Sequence, residues 1–179
     1  MSAAPTPSEA APTPTRDCGG CTLCCKLFPV PELTKPAGRW CPHVAQGRGC
    51  GIHSRRPHVC RAFFCQWIHN TDLGPEWRPD TARFVMSIYP GTSALAITLD
   101  PAQPAAWRRA LYERQIRRWA EIALADGAQV IAFAGERATM IFPDSDVDLG
   151  VLRPGDQIRV GRRGFVWEAS VERASGGAA

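Results

Sequence analysis

Long apolar runs are missing from this sequence. No stretch approaches the roughly 20 consecutive apolar residues that a membrane helix needs, so no membrane partner is expected. Lysine is scarce: of 21 basic residues only Lys26 and Lys35 are lysine, and a net charge of +4 is too mild to argue for nucleic acid. Residues 1–15 (MSAAPTPSEAAPTPT) have no positive n-region and no apolar h-region. They do not read as a secretory signal, and a cytoplasmic location is expected. There is no G-x-S-x-G, no phosphate-cradling loop and no dinucleotide fingerprint. Catalytic residues are therefore unknown, no organic cofactor is implied, and an enzyme is not the first expectation. A repeat of about 20–50 residues is also missing, which excludes a solenoid.

What is present is an ordinary globular composition, 45% apolar and 21% charged, in 179 residues. That length suits one core, or a small stapled module joined to a modest second domain. Residues 1–16 and 175–179 are rich in small and polar residues with little to bury, so both are expected to be disordered tails. From Asp17 to about Asn70 the chain is dense in Cys, Gly, Pro and His and keeps neither a 3.6- nor a 2-residue period. Such a segment needs staples. It is assigned to a module over residues 17–75, closed by the proline-bearing stretch around Trp77 to Asp80, and a second domain is expected over residues 80–174.

In that second part, Arg83 to Tyr89 and Ala94 to Leu99 read as a hairpin across Pro90-Gly91-Thr92-Ser93. Pro104 to about Ala125 reads as a long helix with Trp107, Leu111, Ile116, Trp119, Ile122 and Ala123 as its apolar stripe. Gly127 is placed to end it in the left-handed conformation. Strands follow over Gln129 to Ala134, Ala138 to Phe142 and Gln157 to Val160, with Phe165 to Val171 returning across Gly161 to Gly164. The fold class is α+β, with an irregular metal-stapled cysteine-rich module beside a small antiparallel sheet carrying one long helix. Arg108, Arg109, Arg114, Arg117 and Arg118 read as a solvated helix face. Asp144, Asp146 and Asp148 lack the glycine and distal glutamate of a calcium loop and read as turn chemistry.

All eight cysteines, at positions 18, 21, 24, 25, 41, 50, 60 and 65, lie in the first 65 residues. A reducing cytosol disfavours disulfides, so the alternative of a secreted disulfide scaffold gives way to metal capture. A C-x2-C pair lets two thiolates on one tight turn face a common ion, and here two such pairs overlap in C-x2-C-x2-C-C. The metal ligands expected are Cys18, Cys21, Cys24, Cys25, Cys41, Cys50, Cys60 and Cys65. Four ligands complete the shell of zinc, and adjacent side chains such as Cys24 and Cys25 tend to diverge. Two sites, or one site plus spare thiols, is the simpler count. His43, His53 and His58 are chemically able to replace a cysteine but read first as surface groups, and His69 more so. Arg55, Arg56 or Arg61 would neutralise clustered thiolates, with Phe63, Phe64 and Trp67 as apolar cover.

The run Cys18-Gly-Gly-Cys21-Thr-Leu-Cys24-Cys25, then Cys41, then Cys50 followed by Arg56-Pro57, Cys60-Arg61, Phe63 and Cys65, resembles the YkgJ-type cysteine-cluster family, described as a zinc- or iron-chelating domain. The resemblance covers residues 17–67 and implies metal ligation by the matching cysteines. One departure is His53, where the family commonly has a tyrosine, so no tyrosine hydroxyl is carried over.

The expectation is a metal-binding protein that chelates zinc or iron, an iron-sulfur cluster included. The alternatives are an iron-sulfur redox enzyme or accessory subunit of a modification enzyme, since flagellin lysine N-methylases carry a similar cluster in a longer chain, and a zinc-ribbon-like nucleic-acid module that only the arginines favour. A protein partner is left open.

Overall fold

Residues 16–45 and 47–174 are described by the structure, a computed structural model. The expected tails lie outside the described residues except for Arg16, which is tied down: its guanidinium donates to the carbonyls of Leu73 and Thr71, each at 2.7 Å, and sits 4.9 Å from the centre of the Trp67 ring.

The cysteine-bearing segment folds as short pieces. They are α1 (Leu23–Leu27), a two-residue hairpin of β1 (Val44–Ala45) and β2 (Gly49–Cys50), α2 (His58–Ala62) and α3 (Gln66–His69). Helices this short do not hold themselves in water, so their order comes from what they pack against.

After the 3-10 turn Pro75–Trp77 and α4 (Pro79–Ala82), the texture becomes regular. β3 (Phe84–Ile88) pairs antiparallel with β4 (Leu95–Leu99). α5 (Ala110–Ala125) follows, then β5 (Val130–Ala134), β6 (Arg137–Ile141) and β7 (Asp146–Val151), in one five-stranded sheet ordered β3-β4-β5-β6-β7. β8 (Gln157–Arg163) and β9 (Val166–Glu172) form a separate antiparallel hairpin. The molecule is α+β, with one long helix.

An antiparallel sheet is expected from the order of strands and helix, but one pair departs from it: β4 and β5 run parallel. Between them α5, 16 residues long, carries the chain back by about 24 Å at 1.5 Å per residue, so β5 starts from the same end as β4. β7 replaces the turn expected around Asp146 and Asp148. Their carboxylates are paired within it: Asp146 accepts from Arg108 at 2.8 Å and Arg117 at 3.1 Å, and Asp148 pairs with Arg137 on the neighbouring strand. Arg117 is consequently not part of a solvated face. It is half-buried and also donates to the Phe142 carbonyl at 2.9 Å, pinning α5 over the β6–β7 connection.

The helix itself begins later than expected. A 3-10 turn, Ala106–Arg108, and an extended Arg109 precede it. Its buried stripe is Tyr112, Ile116 and Ala120, with Trp119 and Ala123 alongside, whereas Leu111 and Ile122 are 49% and 53% exposed. Tyr112, Ile116 and Ala120 recur every four residues on one face, and Leu111 and Ile122 fall together on another, well away from it. Gly127 ends the helix as expected, with φ +70° and the Ala128 amide donating to the Ala123 carbonyl at 2.7 Å.

Strand alternation then sorts the core into layers. One sheet face, with Phe84, Met86, Ile97, Leu99, Val130 and Ala132, meets α5 and Trp77. Trp77 comes from the stretch read as a boundary, and its ring lies 4.9 Å from both Tyr112 and Trp119. The opposite face has two covers. Towards β7, Ile131, Met140 and Phe142 meet the inner side of the β8–β9 hairpin. At the β3 edge, Val85 meets Leu23, Leu27 and Cys65.

A single ion pair reinforces that last contact: Lys26 on α1 reaches Asp100 after β4 at 2.6 Å, with both side chains largely buried. Burial alone pushes the Asp100 carboxyl up, but the Lys26 ammonium and the Ala102 amide outweigh it and leave the carboxyl below its ordinary range. A carboxyl depressed on folding stabilises the protein fully above its unfolded pKa and loses that contribution as pH falls through the folded value. Asp100→Asn is therefore expected to cost about 2 kcal/mol at neutral pH in denaturant unfolding. The gap to the parent protein should shrink in acid; equal stability at neutral pH would show the bridge to be idle.

Candidate metal centre

The thiols are assembled by local turns and then by a few long-range ties. The Cys21 amide donates to the Cys18 carbonyl at 2.9 Å, closing a turn in which Gly19 takes φ +49°. α1 follows at once, with Leu23 and Leu27 buried against Cys65, and Cys24 packed on the same apolar cluster. Cys25 lies about 100° further round the helix. Its carbonyl accepts the Cys41 amide at 3.1 Å, which fixes Cys41 beside it across a loop. The Val44 amide donates to the Cys41 carbonyl at 3.1 Å, and Val44 is the register partner of Cys50, so the β1–β2 hairpin sets Cys50 near Cys41. That hairpin lies on the first cysteine turn: a Cβ at Gly49 would come within 2.5 Å of the Gly19 carbonyl oxygen, so only glycine fits. Cys60 rides on α2, whose Val59 amide donates to the Glu32 carboxylate at 3.3 Å, and Cys65 leads into α3.

All eight cysteines are free thiols, seven half-buried and Cys65 buried. Burial is the leading cause that raises Cys18, Cys21 and Cys60, and it pushes Cys65 up to about 11. Neighbouring sulfurs add to this. Cys21 and Cys18 act on Cys65, while Cys25, Cys41 and Cys50 act on Cys60. Cys24 and Cys25 act most strongly on each other. Their interaction holds Cys24 protonated and brings Cys25 down to about 7, aided by the positive charge of Lys35.

Lys35 is the group that sequence reasoning passed over. It is only 5% exposed, and its ammonium donates to the carbonyls of Lys26 at 3.1 Å, Pro36 at 2.9 Å and Phe28. It faces Cys41, Cys25, Cys60 and Cys24. Its signal was present as one of two lysines in an arginine-rich chain, set between the cysteine runs. Among the arginines, Arg56 acts on Cys18 and Arg78 on Cys21, while Arg55 and Arg61 are exposed.

Of the histidines, His53 lies against Arg56, His58 beside Glu32, and His69 stacks on Phe64 at 3.7 Å. Phe63 packs on Phe28 at 4.6 Å, and with Trp67 it covers the apolar side of α1.

Eight soft sulfurs with three cations near them suit a thiophilic ion in chemistry and in number. Their present side-chain positions are not closed on one: among the described residues, no group of three or more His, Cys, Asp or Glu is placed to hold a metal. Among those residues, too, no helix is long and apolar enough to cross a membrane. No family model, curated protein or solved structure matches the chain.

The environment of Lys35 gives a test of its own. Lys35→Met would strand three buried carbonyls and remove the cation facing four sulfurs, at a cost on the order of 3 kcal/mol. Thermal and denaturant unfolding should show it, and Lys35→Arg should restore little because a planar guanidinium does not match three converging carbonyls. A midpoint unchanged by Lys35→Met would remove Lys35 from this account.

Proposed function

We propose that this chain is a cytoplasmic metal-binding protein that chelates zinc or iron, as single ions or as an iron-sulfur cluster, through Cys18, Cys21, Cys24, Cys25, Cys41, Cys50, Cys60 and Cys65. The observation that carries the reading is that all eight cysteines are free thiols and lie within the one segment from Cys18 to Cys65, beside a buried lysine. The cysteine pattern's resemblance to the YkgJ-type family supports the same reading.

Thiolates are the ligating form, and crowding them raises their pKa values unless positive charge is close. Lys35, Arg56 and Arg78 supply that charge here. Rotation about cysteine χ1, with backbone adjustment of the connecting loops, is the change that would close a coordination shell. When bound, zinc contributes a redox-silent cross-link, whereas an iron-sulfur cluster contributes electron transfer.

Protein purified anaerobically without added metal is expected to contain zinc or iron by elemental analysis. A colourless protein with zinc points to a structural role, and a brown one to iron-sulfur chemistry and the accessory-subunit alternative. Metal-free protein with cytosolic disulfides would refute the proposal.

Chelation should act unevenly, because the cysteine segment has few buried apolar residues while the sheet has its own core. Residues 17–70 are expected to become protease-sensitive first, with most strand and α5 signal retained by circular dichroism. Undiminished protease resistance after complete metal removal would show that the segment folds without it.

A further inference from the structure

Zinc takes four ligands, and eight thiolates exceed one shell. The question is how the sulfurs divide. Cys24 belongs to the apolar cluster that contains Cys65, Leu23, Leu27 and Val85, and Cys25 does not. Cys25 instead is tied through its carbonyl to Cys41, which the β1–β2 hairpin holds near Cys50. The turn bearing Cys18 and Cys21 leads directly into α1 ahead of Cys24.

We infer that the cysteines make two separate four-thiolate sites, one of Cys18, Cys21, Cys24 and Cys65 and one of Cys25, Cys41, Cys50 and Cys60, with the Cys24-Cys25 step on α1 as their common wall. This rests on the metal-binding reading above and deepens it. Cys60 falls to the second set because the Val59 amide beside it donates to the Glu32 carboxylate at 3.3 Å, in the segment that leads on to Lys35. Arg56 and Arg78 act on Cys18 and Cys21 of the first set, and Lys35 faces Cys25, Cys41 and Cys60 of the second together with Cys24 at the wall. Both sets interleave along the chain, since Cys24 and Cys25 are neighbours and Cys60 and Cys65 complete opposite sites. Neither site is therefore local, and each closes a loop of about forty residues.

The test is the stoichiometry of Co2+ bound by the full chain under anaerobic conditions, read from thiolate-to-cobalt charge-transfer absorbance, with far-UV circular dichroism to confirm folding. Two equivalents are expected for the parent protein. Cys50→Ala and Cys18→Ala should each leave one. The decisive comparison is between pairs: Cys50→Ala with Cys60→Ala should still leave one equivalent, whereas Cys18→Ala with Cys50→Ala should leave none. Cys18 is half-buried and stands in for Cys65, whose burial in the apolar cluster makes its own replacement a packing change as well. One equivalent in the parent protein, or loss of both ions from the Cys50/Cys60 pair, would overturn the division while leaving metal binding intact. No tetrathiolate signal from the folded parent protein would overturn the metal-binding reading itself.

Discussion

The arrangement of the molecule turns on an edge strand that is buried on both faces. β3 has no solvent face until Ile88: Phe84 and Met86 go to the layer under α5, and Val85 goes to the layer that receives Leu23, Leu27 and Cys65. Edge strands left open are templates for unwanted pairing, and covering one with another part of the chain is a standard solution. Here the cover is the cysteine segment. The side chain that anchors it, Val85, is one residue out of phase with those that anchor the helix. A register slip of one residue in β3 would exchange the two sets and leave both layers without a partner.

Both lysines of the chain sit where a compact ammonium is wanted and a guanidinium fork is not. Lys35 has three N–H donors and meets three carbonyls, a match in number that a planar fork with five donors does not offer. Lys26 makes one short bridge to a single carboxylate oxygen of Asp100. The arginines take the other work: Arg117 spreads over Glu113, Asp146 and the Phe142 carbonyl, and Arg16 over two carbonyls and a ring face. The scarcity of lysine, which at first excluded little, marks the two positions where the cysteine segment needs a point charge.

How much of this was legible in the residues depends on whether the deciding force was local. The β3–β4 hairpin and the Gly127 stop are encoded by neighbours in sequence, and both were read correctly. β7 was hidden because Asp146 and Asp148 look like turn formers until Arg108, Arg117 and Arg137 arrive from other elements to pair them. The parallel β4–β5 contact was hidden for a different reason: strand order and direction follow from where α5 returns the chain, which the strands do not record. On α5, Leu111 and Ile122 have the chemistry of a core but not the phase, and Tyr112 has the phase while its hydroxyl finds the Glu76 carbonyl at 2.8 Å. For the candidate site, cysteine spacing identified the donors. It did not identify Lys35, whose role depends on three carbonyls brought to one point.

The cysteine segment also sets a limit on what apolar packing alone can do. Among the described residues 17–70, the buried apolar side chains are Leu23, Leu27, Val30 and Cys65. Fully burying a large aliphatic side chain contributes about 1.5–3 kcal/mol, while fixing the backbone of one residue costs about 1–2 kcal/mol. Four such side chains do not hold more than fifty residues, and the segment has only short helices and a two-residue hairpin to add. Half-buried Phe28, Phe63, Trp67 and Ile68 add partial cover, and the other fixed points are polar: the Lys35 carbonyl cradle, the Lys26–Asp100 bridge, and Arg16 on Leu73 and Thr71. Each is a tie at a single point. Under the proposed reading the missing constraint is the metal, whose thiolate bonds would join Cys18 to Cys65 and Cys25 to Cys60 and so restrict the whole span at once. A fold this poor in buried carbon then has a reason to spend eight cysteines in 48 consecutive residues, and none in the sheet that already has a core.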